Sequence, residues 1–155
     1  MDTVGALLAT GADPNKALTD AGATPVYLAA EKGGLALLEL LLANGADPNK
    51  ARTTDGATPL FIAAQNGHLD MVQALLVNPD RADPNKALTT DGATPLFIAA
   101  RNGHLDVVKA LLTNHADPNK ARTTDGATPL FIAEQKGHIE IANLLSKAVA
   151  EAAEK

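Results

Sequence analysis

At 155 residues, with 46% hydrophobic and 20% charged residues, the chain has the size and composition of one folded domain rather than of a disordered segment. Its formal net charge of −5 argues against nucleic-acid binding, which rests on clustered Lys and Arg, and makes a basic peptide or protein surface the better electrostatic match. Cysteine is absent, which excludes disulfides and thiolate metal sites, and an aromatic content of 3% leaves the core to Leu, Ile, Val and Ala.

The elements recur. TPLFIA stands at Thr58–Ala63, Thr94–Ala99 and Thr128–Ala133, with TPVYLA at Thr24–Ala29, at spacings of 34, 36 and 34 residues. ADPNKA keeps the same beat at Ala12–Ala17, Ala46–Ala51, Ala82–Ala87 and Ala116–Ala121. Two markers in phase predict a stack of one supersecondary unit.

In chain order, the first element is a short helix over Asp2–Thr10, with Gly5 inside it at a cost of about 1 kcal/mol relative to Ala. A Leu-rich helix over Leu35–Leu42 follows in the first full unit, broken only by Glu39. In the next unit Thr58 is an N-cap and Pro59 the first helical residue, where its missing N–H costs nothing. Leu60 to Ala64 continue the helix until Asn66-Gly67 stops it. A second helix from about His68 carries Leu69, Val72, Leu75 and Leu76 on one face, with Asp70 at its positive end. The connector Ala82–Ala93 holds Asp83-Pro84 and Asp91-Gly92, which predict a hairpin-like finger. The helical pattern returns with Leu105, Val108, Leu111 and Leu112, and the chain closes on a helix-prone Ala/Glu/Lys tail over Ser146–Lys155. Helix pairs this short bury a face only by stacking on neighbours.

These residues resemble the ankyrin repeat. Its pattern of DG-x-TPLH-x-AA-x-x-GH is matched from Asp55-Gly56-Ala57-Thr58-Pro59-Leu60-Phe61 to Gly67-His68, and its GADVN tail by Gly45-Ala46-Asp47-Pro48-Asn49. The resemblance implies an all-α solenoid of helix-turn-helix pairs with projecting hairpin loops. It divides the single domain 1–155 into a partial N-terminal unit (1–18), internal units (19–52, 53–88, 89–122) and a C-terminal capping unit (123–155), where Glu134 and Lys136 replace Ala100 and Asn102. The family's His after TPL is Tyr27, Phe61, Phe97 or Phe131 here, so aromatic packing is expected in place of its hydrogen bonds.

Three constellations invite chemistry. His68, His104 and His138 recur, but the resemblance implies a place for them in the Gly-His turns, bonded to backbone, and stacked units lie about 10 Å apart whereas zinc holds its ligands at about 2 Å. Asp20, Asp55, Asp91 and Asp125 read as turn carboxylates rather than a calcium ladder, because no D-x-D-x-D-G loop is present. Lys16, Lys50, Lys86 and Lys120 read as a solvated stripe. No catalytic constellation, cofactor or metal is expected.

The resemblance implies a non-catalytic protein-interaction module that binds a protein or peptide, not nucleic acid or membrane, on its concave face. Carried over by position, that face comprises Leu18, Asp20, Arg52, Thr54, Leu88, Thr90, Arg122 and Thr124 on the finger tips. The first helices add Glu31, Lys32, Gln65, Asn66, Arg101, Asn102, Gln135 and Lys136. Near-identical tips also fit a recently duplicated or engineered, consensus-type scaffold without a natural ligand. With no basic leader, no long apolar run and no Cys, the expected location is the cytoplasm. Two places break the repeat: the insertion Val77–Arg81, and His115, which stands where Gly11 and Gly45 stand and is expected to carry left-handed strain. The Leu-rich first unit behind its partial cap is expected either to support self-association through the N-terminal end or to be the cut edge of a longer array.

Overall fold

The computed structural model describes residues 2–155, and side chains from residue 3 onward. Nine helices are present among the described residues: α1 (Asp2–Ala9), α2 (Pro25–Lys32), α3 (Leu35–Ala43), α4 (Pro59–Asn66), α5 (Leu69–Val77), α6 (Pro95–Asn102), α7 (Leu105–Thr113), α8 (Pro129–Gln135) and α9 (Ile139–Ala153). No strand occurs among these residues.

The same local chemistry starts each first helix. The hydroxyls of Thr24, Thr58, Thr94 and Thr128 accept the N–H of Tyr27, Phe61, Phe97 and Phe131 at 3.1 to 3.3 Å, satisfying a donor that the first turn leaves open. Proline follows each cap. The fingers are hairpins without a strand ladder, closed by Leu18, Arg52, Leu88 and Arg122 N–H groups donating to the carbonyls of Ala23, Ala57, Ala93 and Ala127 at 2.8 to 2.9 Å.

Stacking makes the core. The first helices α2, α4, α6 and α8 pack in succession, and behind them α3, α5, α7 and α9 do the same. Leu38, Leu60, Met71, Leu75, Leu96, Leu111 and Leu145 lie fully buried between the layers. Each buried aliphatic side chain contributes about 1.5 to 3 kcal/mol, and most of that depends on the neighbouring unit.

Three hydrogen-bond ladders run along the stack. At the finger tips, Thr53, Thr89 and Thr123 N–H donate to Ala21, Asp55 and Asp91 carbonyls of the preceding unit, each at 2.8 Å. At the finger bases, the Asn15, Asn49 and Asn85 amides donate to the carbonyls of Gly45, Arg81 and His115, and their side-chain oxygens accept Asp47, Asp83 and Asp117 N–H. At the helix ends, His68, His104 and His138 Nε2 lie 3.2, 3.0 and 3.1 Å from the Glu31, Gln65 and Arg101 carbonyls, positioned to donate. The histidines therefore clamp one unit to the next rather than closing only their own turns.

The first ladder also corrects a register. Ala21, not Asp20, takes the place of Asp55 and Asp91, since its carbonyl receives the equivalent bond; Asp20 is an exposed residue level with Thr54. The lysine stripe is partly engaged as well: Lys50 and Lys120 donate to the Asn15 and Asn85 carbonyls.

The irregular positions fit the frame at a cost. His115 has φ of 68° where Gly11 and Gly45 have 91° and 82°. The Val77–Arg81 insertion bulges outward, with Val77 71% exposed, yet Arg81 keeps its place as the Asn49 acceptor. In the last unit α9 runs 15 residues against 9 in α3, α5 and α7. Glu134 is exposed where Ala64 and Ala100 are buried, so the polar substitution faces solvent at the end of the stack.

Candidate partner-binding surface

The first helices and the fingers meet in an open concavity of about 310 Å³. Its geometry grows from one repeated contact: the third residue of each first helix is aromatic, and the tip residue of the following finger lies over it. The Arg52 guanidinium carbon is 5.3 Å from the Tyr27 ring centre and that of Arg122 is 5.0 Å from the Phe97 ring centre, within cation–π range. In the middle unit Leu88 replaces the arginine, which leaves an apolar centre beside Phe61. Phe131, over which no finger of the described residues lies, is 52% exposed where Tyr27, Phe61 and Phe97 are at most 4% exposed.

The arginines are fixed from both sides. Arg52 pairs with Asp55, and Arg122 with Asp125 and, at 3.8 Å, with Asp91 of the preceding finger. The Arg52 hydrogen bond, aided by the Ala57 N–H and opposed by burial, holds the Asp55 carboxyl below its usual range. The Arg122 hydrogen bond and the Ala127 N–H bring Asp125 down to about 2. Burial pushes the Tyr27 phenol up, with the nearby Arg52 charge working against it.

Of the residues assigned to this surface by resemblance, Glu31, Arg52, Gln65, Leu88, Arg101 and Arg122 converge on the concavity. Thr54, Thr90 and Thr124 are exposed at the tips outside it, as are Lys32, Gln135 and Lys136 on the helix ends. Asn66 and Asn102 instead hold the Glu31 and Gln65 carbonyls at 3.1 and 2.9 Å, a stacking role. The lining also contains Tyr27, Asp55, Phe61, Asp91 and Phe97, whose sequence context points only to the stacking core or the turns. Their signal lies in the series Arg52, Leu88 and Arg122, each at the tip of the finger that follows an aromatic residue, Tyr27, Phe61 and Phe97. With three arginines and the carboxylates of Glu31, Asp55 and Asp91, the lining is balanced, so the overall negative charge is not expressed there.

Leu18 belongs to a different place. It is 59% exposed and, with Val4, Leu7, Leu8, Pro25, Leu28, Leu37 and Leu41, borders an apolar groove of about 340 Å³ beside α1. Pro25 and Leu28 are half-buried there, whereas Pro59, Ile62, Pro95 and Ile98 at the equivalent positions are buried under a preceding first helix.

The family model for ankyrin repeats matches in three copies, over residues 1–87 and 80–154. The chain belongs to the ankyrin-repeat family. No curated protein matches it closely enough to count as a relative. Ankyrin repeats are in general protein-interaction modules without catalysis of their own, and this ankyrin chain has the family's helix pairs, Thr-Pro caps and projecting fingers. Among the described residues no helix is long and apolar enough to cross a membrane.

Proposed function

We propose that this ankyrin array is a non-catalytic module that binds a protein or peptide partner across the concave face formed by its fingers and first helices, residues 1–155 acting as one domain. The observation that carries the reading is the convergence, in one concavity, of the positions at which the units differ: Tyr27, Glu31, Arg101 and the Arg52, Leu88, Arg122 series. Between them lie side chains that are the same in each unit and serve stacking. Arginine and aromatic groups beside an apolar centre have the composition of binding hot spots.

Arg52 and Arg122 are poor first substitutions, because each also clamps an aromatic ring and a carboxylate. Arg101→Glu, on an exposed side chain outside the ion pairs, is the cleaner test, with Gln73→Glu on the outer face of α5 as control. A captured partner should lose about tenfold affinity with the first and under about twofold with the second. Equal losses would sink the concave assignment.

The near-identity of the TPLFIA blocks favours, as a second reading, a consensus-type scaffold without a natural ligand. That reading stands if no partner from any lysate responds to Arg101→Glu. The apolar groove beside α1 supports self-association through the N-terminal end. Sedimentation should then show mass rising with concentration and falling back to monomer in Leu18→Glu, while a strict monomer at high concentration removes the idea.

A further inference from the structure

Two charged side chains in the concavity make no ion pair among the described residues, although the Glu31 charge is felt by the nearby Arg52 guanidinium. The ion pairs there use Arg52 with Asp55, and Arg122 with Asp91 and Asp125, leaving Glu31 at the end of α2 and Arg101 at the end of α6. Lys32 adjoins Glu31 in sequence, but neighbouring residues on a helix do not face each other, and Lys32 lies outside the lining. A third group is also open. Tyr27 is 2% exposed, yet its hydroxyl makes no hydrogen bond among the described residues and is not enclosed, so it reaches the concavity beside Glu31.

These groups lie in a fixed order along the array. Successive first helices pack with axes about 8 to 10 Å apart, so Glu31 and Arg101, two units apart, are separated by about 20 Å. Gln65 stands between them on α4, facing the apolar centre at Leu88 and Phe61. An extended peptide rises about 3.3 Å per residue and covers that distance in about six residues.

Resting on the concave face as the binding surface, we propose that the partner is an extended protein segment docked in one charge polarity. A basic side chain meets the Glu31 carboxylate and the Tyr27 hydroxyl, an apolar side chain covers Leu88 where it lies beside the buried Phe61, and an acidic side chain about six residues from the basic one meets Arg101. The ion-paired arginines set the walls; Glu31 and Arg101, which make no ion pair, set the direction. Reversed charges would bring like against like at both ends, which is how interfaces reject wrong registers.

The test is selection of a random dodecapeptide display library on the immobilised full chain and, separately, on the double variant Glu31→Lys/Arg101→Glu. The double variant keeps the net charge at −5, so long-range attraction is unchanged. Matching thermal melts establish that it folds. Peptides selected on the original chain should carry a basic and an acidic residue about six positions apart around an apolar one, and those selected on the variant should carry the charges exchanged. A synthetic peptide of the first kind should bind the variant about tenfold more weakly, and its charge-reversed version should recover that loss. Peptides that are lost on Leu88→Glu but indifferent to the charge exchange overturn the polarity and leave the concave surface standing. Peptides indifferent to Leu88→Glu as well overturn both, and a library that yields no binder to the original chain overturns the polarity.

Discussion

Gly67→Ala tests whether the histidine clamps hold the stack. Gly67 ends α4 with φ of 72°, so any side chain there carries left-handed strain of about 1 to 2 kcal/mol. A Cβ at this position would also lie 2.6 Å from the His104 ring of the next unit. The ring cannot simply swing away, because its Nε2 is bound to the Gln65 carbonyl at 3.0 Å, so overpacking adds about 1 to 3 kcal/mol. Gly137 supplies the control: its φ is 75°, but a Cβ there meets nothing within 4 Å. Urea denaturation should therefore show Gly67→Ala destabilising by at least about 1 kcal/mol more than Gly137→Ala. His104→Ala in the Gly67→Ala background should cost less than in the original chain, because it relieves the clash it otherwise unmasks as a lost contact. Equal effects of the two glycine substitutions, or strict additivity with His104→Ala, would refute the clamp.

Other predictions follow from single positions. His115→Gly should stabilise by about 1 kcal/mol by removing left-handed strain at an exposed residue, seen as a higher urea midpoint at unchanged slope. Asp55 and Asp125 have folded-state values below the ordinary 3.8, so the stability they lend is present above that pH and is lost as pH falls toward about 2, where Asp125 protonates. Asp55→Asn/Asp125→Asn should flatten the fall in melting temperature between about pH 4 and pH 2; an unchanged slope contradicts the pairing. Phe131→Ala should cost less than Phe97→Ala, whose ring is enclosed and expected to be worth about 3 to 5 kcal/mol on truncation.

The helices were legible because their signals are local. Thr58-Pro59 caps and starts α4 within two residues, and Asn66-Gly67 ends it, so the same reading could be repeated unit by unit. The site was less legible because its contacts join one finger to the helix and finger before it. That Arg122 lies over Phe97 and touches Asp91 depends on the stacking geometry, not on either neighbourhood in sequence. Residue type also misled: Asp20 resembles Asp55 in kind, but the bond from Thr53 to the Ala21 carbonyl sets the register. Likewise, Asn66 and Asn102 read as exposed recognition residues, although their amides reach back to tie the preceding helix. The net charge described the whole surface and could not show that the concavity is balanced.

The central claim is that recognition lies on the inner side, where the units differ, and that the repeated residues serve the stack. Amide hydrogen exchange of the full chain, free and saturated with a display-selected peptide, tests it directly. Binding should slow exchange across the fingers of residues 52–57 and 88–93 and the ends of α4 and α6, with α5 and α7 unchanged. Protection confined to α5 and α7, or to the groove beside α1, would contradict the account.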